Sequence, residues 1–322
     1  MDYVKRLVSR ENRKVKKVLI TGGAGYIGSE LTGHFLRDGY EVTCLDSLMY
    51  DSTSLLRYTV DSKFNFEKGD VRDISFMNKH MKEADIIIPL AALVGFPLCE
   101  RDPRGAREIN YEVNQWIADN KSRDQLVIYP CTNSGYGTNE GVCTEKSPLN
   151  PVSLYGITKV QAEKAYKEVE NHVTFRFATV FGPGSRMRTD LLVNNFVLRA
   201  LRDRALVLYE CEFMRNYLHI QDACRSFKFV VDNWDSCKNE TYNVGNDSIN
   251  MNKLQLAQKI KHHIPLEIIK AEINTDPDVR DYEVSSEKIY KKGFNCEYSL
   301  DDGIKQLIKA YGIIESPWFA NY

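Results

Sequence analysis

Residues 17–31 read KVLITGGAGYIGSEL. A short β-forming run gives way to Gly22, Gly25 and Gly28. A helical pattern follows, with Ile27, Leu31 and Phe35 on one face and Gly39 as its stop. Glycines at this spacing allow a tight turn and let backbone approach a pyrophosphate. The helix behind them offers free N–H groups and the positive end of its dipole. As a bare pattern the three glycines fit any strand-to-helix turn. In this context they read as a dinucleotide-phosphate loop contacted by Gly22, Gly25, Tyr26, Ile27 and Gly28.

The same alternation continues outward. EVTCLDS (41–47), FNFEKGDV (64–71), DIIIPLAAL (85–93), QLVIYP (125–130) and HVTFRFATV (172–180) read as strands. Helical patterns lie between them: a polar one through Asn78 to Glu83, one from Arg104 to about Asn120, and SLYGITKVQAEKAYKEVE (153–170). Strands separated by helices imply right-handed crossovers and a doubly wound α/β fold with a mostly parallel sheet. Runs such as VLI, DIII and LVI suit strands buried on both faces. Beyond Ala178 the texture becomes irregular, which marks a second lobe rather than a tethered domain.

Of the 322 residues, 43% are apolar and 27% charged, and the net charge is −1. That balance points to neither a nucleic-acid nor a membrane partner. No apolar run reaches the roughly 18 residues of a membrane span. Residues 1–16 read as a basic extension without the apolar core of a signal peptide. Eight scattered cysteines with no CxxC pair suit reduced thiols in a cytoplasmic compartment, and no cluster has metal-ligand spacing.

Asp46 ends the second strand, followed by Ser47 and Leu48. A carboxylate there accepts both ribose hydroxyls of an adenosine and repels a 2′-phosphate, and no arginine follows in DSLMYDS to receive one. NAD is therefore favoured over NADP. Asp70 and Val71, after the third strand, are placed to meet the adenine edge. Tyr155 and Lys159 stand four apart on one helix and share a face. An ammonium beside a phenol favours the phenolate, so Tyr155 can take a proton from a hydroxyl while the carbon beneath it gives up hydride. This pair arises about once by chance in a chain so rich in both residues, and gains weight from following the glycine loop.

TGGAGYIGS (21–29), LAA (90–92), the YG pair (136–137), Tyr155 with Lys159, FGPG (181–184) and RNYLHIQD (215–222) occur in that order. Together they resemble the extended short-chain dehydrogenase/reductase family, and more narrowly its nucleotide-sugar epimerases and dehydratases, over about residues 17–311. The resemblance implies a Rossmann domain over 17–177, with a return near 219–246, that binds NAD. It also implies a smaller mixed α/β lobe over 178–322 that grips a nucleoside-diphosphate sugar, and a homodimer built through the Tyr155–Lys159 helix. Leu90, Ala91 and Ala92 become cofactor contacts, although Pro89 stands where relatives commonly carry histidine. Thr132 becomes the hydroxyl that orients the sugar C4 hydroxyl, with Asn133 and Ser134 beside it on the substrate side. Asn195, Phe196 and Arg215 match diphosphate contacts. Arg188 is a helper whose charge, like that of Arg186, is expected to be solvated, and Arg280 is a further guess.

Family dehydratases carry Asp and Glu where this chain has Asn133 and Ser134, and the 3,5-epimerases carry cysteine at the Ser134 position. Asn133 and Ser134 have no carboxyl proton to shuttle. Cys131 is off the cysteine position and reads as a small residue at a strand end. Oxidation at C4 is left. The stretches IIIPLAALVG, TNSGYG, RMRTDLLVNNF and DPDVRDYEVS look closest to the branch that oxidises a GDP-linked manno-heptose at C4 in capsule-heptose synthesis. A 4-epimerase with tightly bound NAD is the alternative, a 4,6-dehydratase is less favoured and a non-catalytic NAD-binding scaffold least.

Overall fold

The computed structural model describes residues 16–271 and 281–314. Arg280 and the basic N-terminal extension up to residue 15 lie outside the described residues. Seven parallel strands form the central sheet: β1 (Lys17–Thr21), β2 (Glu41–Asp46), β3 (Phe64–Lys68), β4 (Ile86–Pro89), β5 (Leu126–Thr132), β6 (His172–Phe177) and β7 (Glu240–Val244). Their spatial order is β7-β6-β5-β4-β1-β2-β3. The order reverses between β1 and β4, and such a switch point opens a crevice at the carboxyl ends of the strands.

Side-chain alternation divides the core into two layers. Val18, Ile20, Ile86, Ile88 and Ile128 pack on one face with Leu31 and Phe35 of helix α1 (Tyr26–Arg37). Leu19, Ile87, Val127 and Tyr129 pack on the other with Ile117 and Tyr166. All these side chains are at most 1% exposed. Helix α2 (Ile74–Met81) runs through Asn78 and ends two residues before Glu83; Asp73 caps its start by accepting from the N–H groups of Ser75 and Phe76. The expected helix over 104–120 is three pieces: Pro103–Arg107, a π turn over Glu108–Glu112, and α3 (Val113–Asn120). The π turn holds Asn110 in the interior. Ser153 caps α4 (Leu154–Lys167), which carries Tyr155 and Lys159.

One strand expectation changes. The run 172–180 breaks at Ala178: its N–H goes to Val244 O in β7, whereas that of Thr179 goes to Asn216 O. Strand Thr179–Phe181 therefore pairs with Tyr217–His219 and not within the main sheet. Within RNYLHIQD the strand ends at His219, which begins α6 (Ile220–Asp232) by accepting from the N–H of Gln221. His219 is 1% exposed and stacks on Tyr298, as expected of a packed rather than a catalytic histidine. The second lobe has its own core, built by α5 (Leu192–Asp203), α7 (Lys253–Lys261) and α8 (Leu300–Tyr311) around Val193, Val197, Leu256, Ile260, Ile304 and Leu307. Short strand pairs, among them Ala205–Leu208 with Glu267–Lys270, complete it.

Candidate active site

A cleft of about 920 Å³ opens where the strand order reverses. Its first wall is the β1–α1 turn, with Gly22, Gly25, Tyr26, Ile27 and Gly28. Gly22 has φ +69°, and a Cβ there would lie 2.7 Å from Ala91 N; a Cβ on Gly28 would lie 2.4 Å from Gly22 O. No side chain caps α1 at Gly25. A close-packed, uncapped turn at the positive end of a helix fits a dinucleotide pyrophosphate.

Asp46, Ser47 and Leu48 follow on the same wall. One Asp46 oxygen accepts from Ala24 N at 3.0 Å and the other from Leu48 N at 2.8 Å, which fixes the carboxylate and leaves acceptor capacity for ribose hydroxyls. Burial raises the Asp46 carboxyl above its usual range against the pull of those two N–H groups. Asp70 and Val71 line the cleft too, but Asp70 accepts both Nε and Nη2 of Arg72, and that pairing lowers its pKa. Leu90, Ala91 and Ala92 form the adjoining wall at the end of β4. Just beyond it, Asn110 takes the N–H of Leu93 at 2.8 Å and donates to its carbonyl at 3.0 Å, a brace that sequence reading missed.

Strand β5 runs through Thr132, two residues further than the apolar run. Thr132 then caps a 3₁₀ turn over Asn133–Tyr136: its hydroxyl accepts from Ser134 N at 3.1 Å and meets Ser134 Oγ at 3.0 Å. Thr132 and Ser134 line the cleft with Tyr155 and Lys159. Asn133 does not. It is 1% exposed, and neither polar atom of its amide has a hydrogen-bond partner among the described residues. Burial also pushes the Cys131 thiol well up, so no thiolate is offered.

Lys159 is 4% exposed and its Nζ lies 4.2 Å from the centre of the Tyr129 ring. Burial lowers its pKa from 10.5 to about 8, against the pull of Cys131 and Cys99. Below that value the folded chain holds a charge that water would hold better. Because the folded pKa lies below the unfolded one, the penalty is full below about pH 8 and fades as pH rises through about 10.5. Lys159→Met should therefore raise the stability of the cofactor-free protein at neutral pH by roughly 3 kcal/mol, with the gain fading in alkali. Urea titrations from pH 7 to 10.5 would read this. A loss of stability at neutral pH would show that the ammonium is well solvated in place.

The second lobe supplies the facing wall with Arg188, Asn195, Arg199, Arg215 and Lys253. Arg188 is 7% exposed and paired bidentately with Asp190, and Arg186 is 8% exposed, so neither charge is solvated as expected. Asn195 donates to Thr189 O, and Arg215 donates to Met214 O beside the Tyr282 ring. Phe196 lies in the second-lobe core and does not line the cleft. Arg199, Lys253 and Tyr50 line it without having been singled out; Arg199, one turn after Asn195, was open to helical spacing, whereas nothing local marks the others.

All eight cysteines are unpaired, and the described residues hold no metal-ligand cluster and no helix long and apolar enough to span a membrane. A sequence model of the "NAD dependent epimerase/dehydratase family" matches residues 18–245. A low-salt glycan biosynthesis protein of Haloferax volcanii is 26% identical over 309 residues, 91% of this chain and 98% of its own. A putative UDP-glucose 4-epimerase of Methanocaldococcus jannaschii is 25% identical over 90% of this chain and 97% of its own. In structure, the UDP-glucuronic acid 4-epimerase of Bacillus cereus, solved with UDP-glucuronic acid and NAD, superposes with a TM-score of 0.79 at 23% identity, covering 92% of this chain and 100% of that one.

Proposed function

The chain belongs to the NAD-dependent epimerase/dehydratase family, and from that premise we propose that it oxidises a nucleoside-diphosphate sugar at C4. NAD, when bound, supplies the hydride acceptor. Thr132 orients the C4 hydroxyl, Tyr155 takes its proton, and the Lys159 ammonium favours the phenolate that does so. The C4 carbinol thereby becomes a ketone, one hydride and one proton lighter. Asn195, Arg188 and Arg215 face the sugar diphosphate, with a contribution from Arg280.

One observation carries the choice of reaction. Thr132 and Ser134 bring two hydroxyls to the cleft, and Asn133 turns an amide inward, so the loop presents no carboxyl group. Eliminating water across C5 and C6 needs an acid and a base, and inversion at C3 or C5 needs a base at the ketone's neighbour. Neither is present in this loop. Together with the stretches resembling the GDP-manno-heptose branch, this favours net oxidation by a GDP-D-glycero-α-D-manno-heptose 4-dehydrogenase acting in the cytoplasm. A 4-epimerase is the second reading, favoured by the Methanocaldococcus jannaschii relative. In either case we place a homodimer interface on α4, where Ile157 and the preceding Val152 are exposed.

Mass spectrometry after incubation with GDP-, UDP-, CDP- and dTDP-sugars separates the outcomes. A net dehydrogenase gives a product two hydrogens lighter and an epimerase gives one of unchanged mass. Loss of water, or deuterium entering C3 or C5 from heavy water, would overturn the reading.

A further inference from the structure

Among the arginines of the cleft, Arg186 stands apart. It lines the cleft at 8% exposure, yet no hydrogen bond or ion pair to it occurs among the described residues. Arg188, two residues on, is neutralised by Asp190. The Arg186 guanidinium instead lies 4.3 Å from the centre of the Tyr50 ring, and the Tyr50 hydroxyl is itself buried without a hydrogen-bond partner among the described residues. Its electrostatic neighbours include Asp46, on the adenosine side of the cleft. A buried guanidinium with five donors and no acceptor is unfavourable in isolation. Burial accordingly makes it easier to deprotonate than an ordinary arginine.

The loop carrying Arg186 comes from beyond Ala178 but is fastened to α1, the helix behind the phosphate turn. Tyr26, the first residue of α1, donates its hydroxyl to Gly182 O at 2.6 Å. One turn on, Glu30 accepts from Ser185 N at 2.8 Å and from Ser185 Oγ at 2.6 Å. Arg186 is the next residue, so these bonds bring a second-lobe cation to the cofactor side of the cleft. Such an anchored, unneutralised fork suits phosphate oxygens, which it meets bidentately.

We propose that Arg186, backed by the Tyr50 ring, is a phosphate-binding residue through which the second lobe clamps the pyrophosphate of the dinucleotide. The assignment rests on the NAD site and not on which sugar is oxidised or how, so it survives any outcome of the mass experiment. NAD is then held from both sides, by the glycine turn below and Arg186 above. It can leave only when the 182–191 loop detaches from α1.

Phosphate oxygens come with either ligand, so the test separates dinucleotide from sugar nucleotide. On protein stripped of nucleotide, calorimetry with NAD, ADP and adenosine is run for the parent, Arg186→Met, Arg186→Lys and Tyr50→Leu. GDP and UDP are then titrated with NAD at saturation. Arg186→Met should weaken NAD and ADP each by about 10- to 100-fold and leave adenosine unchanged. Arg186→Lys should recover part of the loss, because it keeps the charge without the fork. Tyr50→Leu should weaken the same two ligands less. The nucleotide-free Arg186→Met protein should unfold no more readily than the parent, since it sheds an unneutralised buried charge. Unchanged NAD and ADP affinity would overturn the clamp. A loss confined to GDP or UDP would also overturn it, by assigning the arginine to the other substrate. A destabilised or unfolded nucleotide-free Arg186→Met would do the same, because the arginine would then be part of the fold.

Discussion

Tyr155→Phe is expected to fold, bind NAD with parental affinity and lose roughly 10²–10⁴-fold in turnover, the contribution of a positioned general base. The substitution deletes one oxygen and keeps the ring. Tyr155 is half-buried at the cleft, near the start of α4, where Ser153 and not the phenol secures the helix end. Single-turnover formation of NADH, read by absorbance, isolates the chemical step from product release. Near-parental turnover would mean that the C4 proton leaves by another route. A parallel loss of NAD affinity would mean that the phenol holds cofactor rather than moving a proton.

The second large effect is one of stability. Glu163 lies on α4 one turn beyond Lys159, fully buried, and meets Arg176 of β6 through two hydrogen bonds of 2.6 and 3.0 Å. Arg176 is 2% exposed and donates at 2.9 Å to the hydroxyl of Tyr136, which closes the turn carrying Asn133 and Ser134. Burial opposes ionisation of Glu163, but the hydrogen bonds and charge of Arg176 outweigh it and hold the carboxyl below its usual range. A carboxyl with a lowered folded pKa stabilises the protein above the ordinary glutamate range and loses that effect as pH falls through the folded value. Glu163→Ala leaves the Arg176 charge buried and should destabilise the fold by about 3–5 kcal/mol, read as a lower urea midpoint. Glu163→Leu combined with Arg176→Met should recover much of the loss, because it removes both charges. If the double variant is as unstable as the single one, the pair matters for shape and not for charge.

Features encoded locally were legible from the sequence. The glycine turn, the burial of VLI and III on two faces, and Tyr155 and Lys159 on one helix depend on neighbours within a few positions, where period and backbone freedom decide the outcome. What escaped depends on remote partners. Arg186 and Arg188 sit in a polar stretch that looks solvated, and only the packing of the second lobe onto α1 buries them. Asn133 looks like a substrate-facing amide, yet the 3₁₀ turn capped by Thr132 directs it inward. The break at Ala178 has no glycine or proline to mark it. It arises because Val244 and Asn216 claim adjacent N–H groups from different sheets.

The late arrival of β7 has a consequence for synthesis. It pairs with β6 in register from Val173 to Phe177, but its residues, 240–244, are translated only after α5 and α6. At about 5–20 residues per second, the ribosome leaves the edge of β6 open for on the order of seconds. One face of that strand is apolar: Val173, Phe175 and Phe177 are all nearly inaccessible once the sheet is complete. An unpaired strand edge of this kind invites pairing with other chains. A nascent or truncated chain that stops between Phe177 and Glu240 is thus an aggregation hazard and a natural client for chaperones, whatever the stability of the finished enzyme.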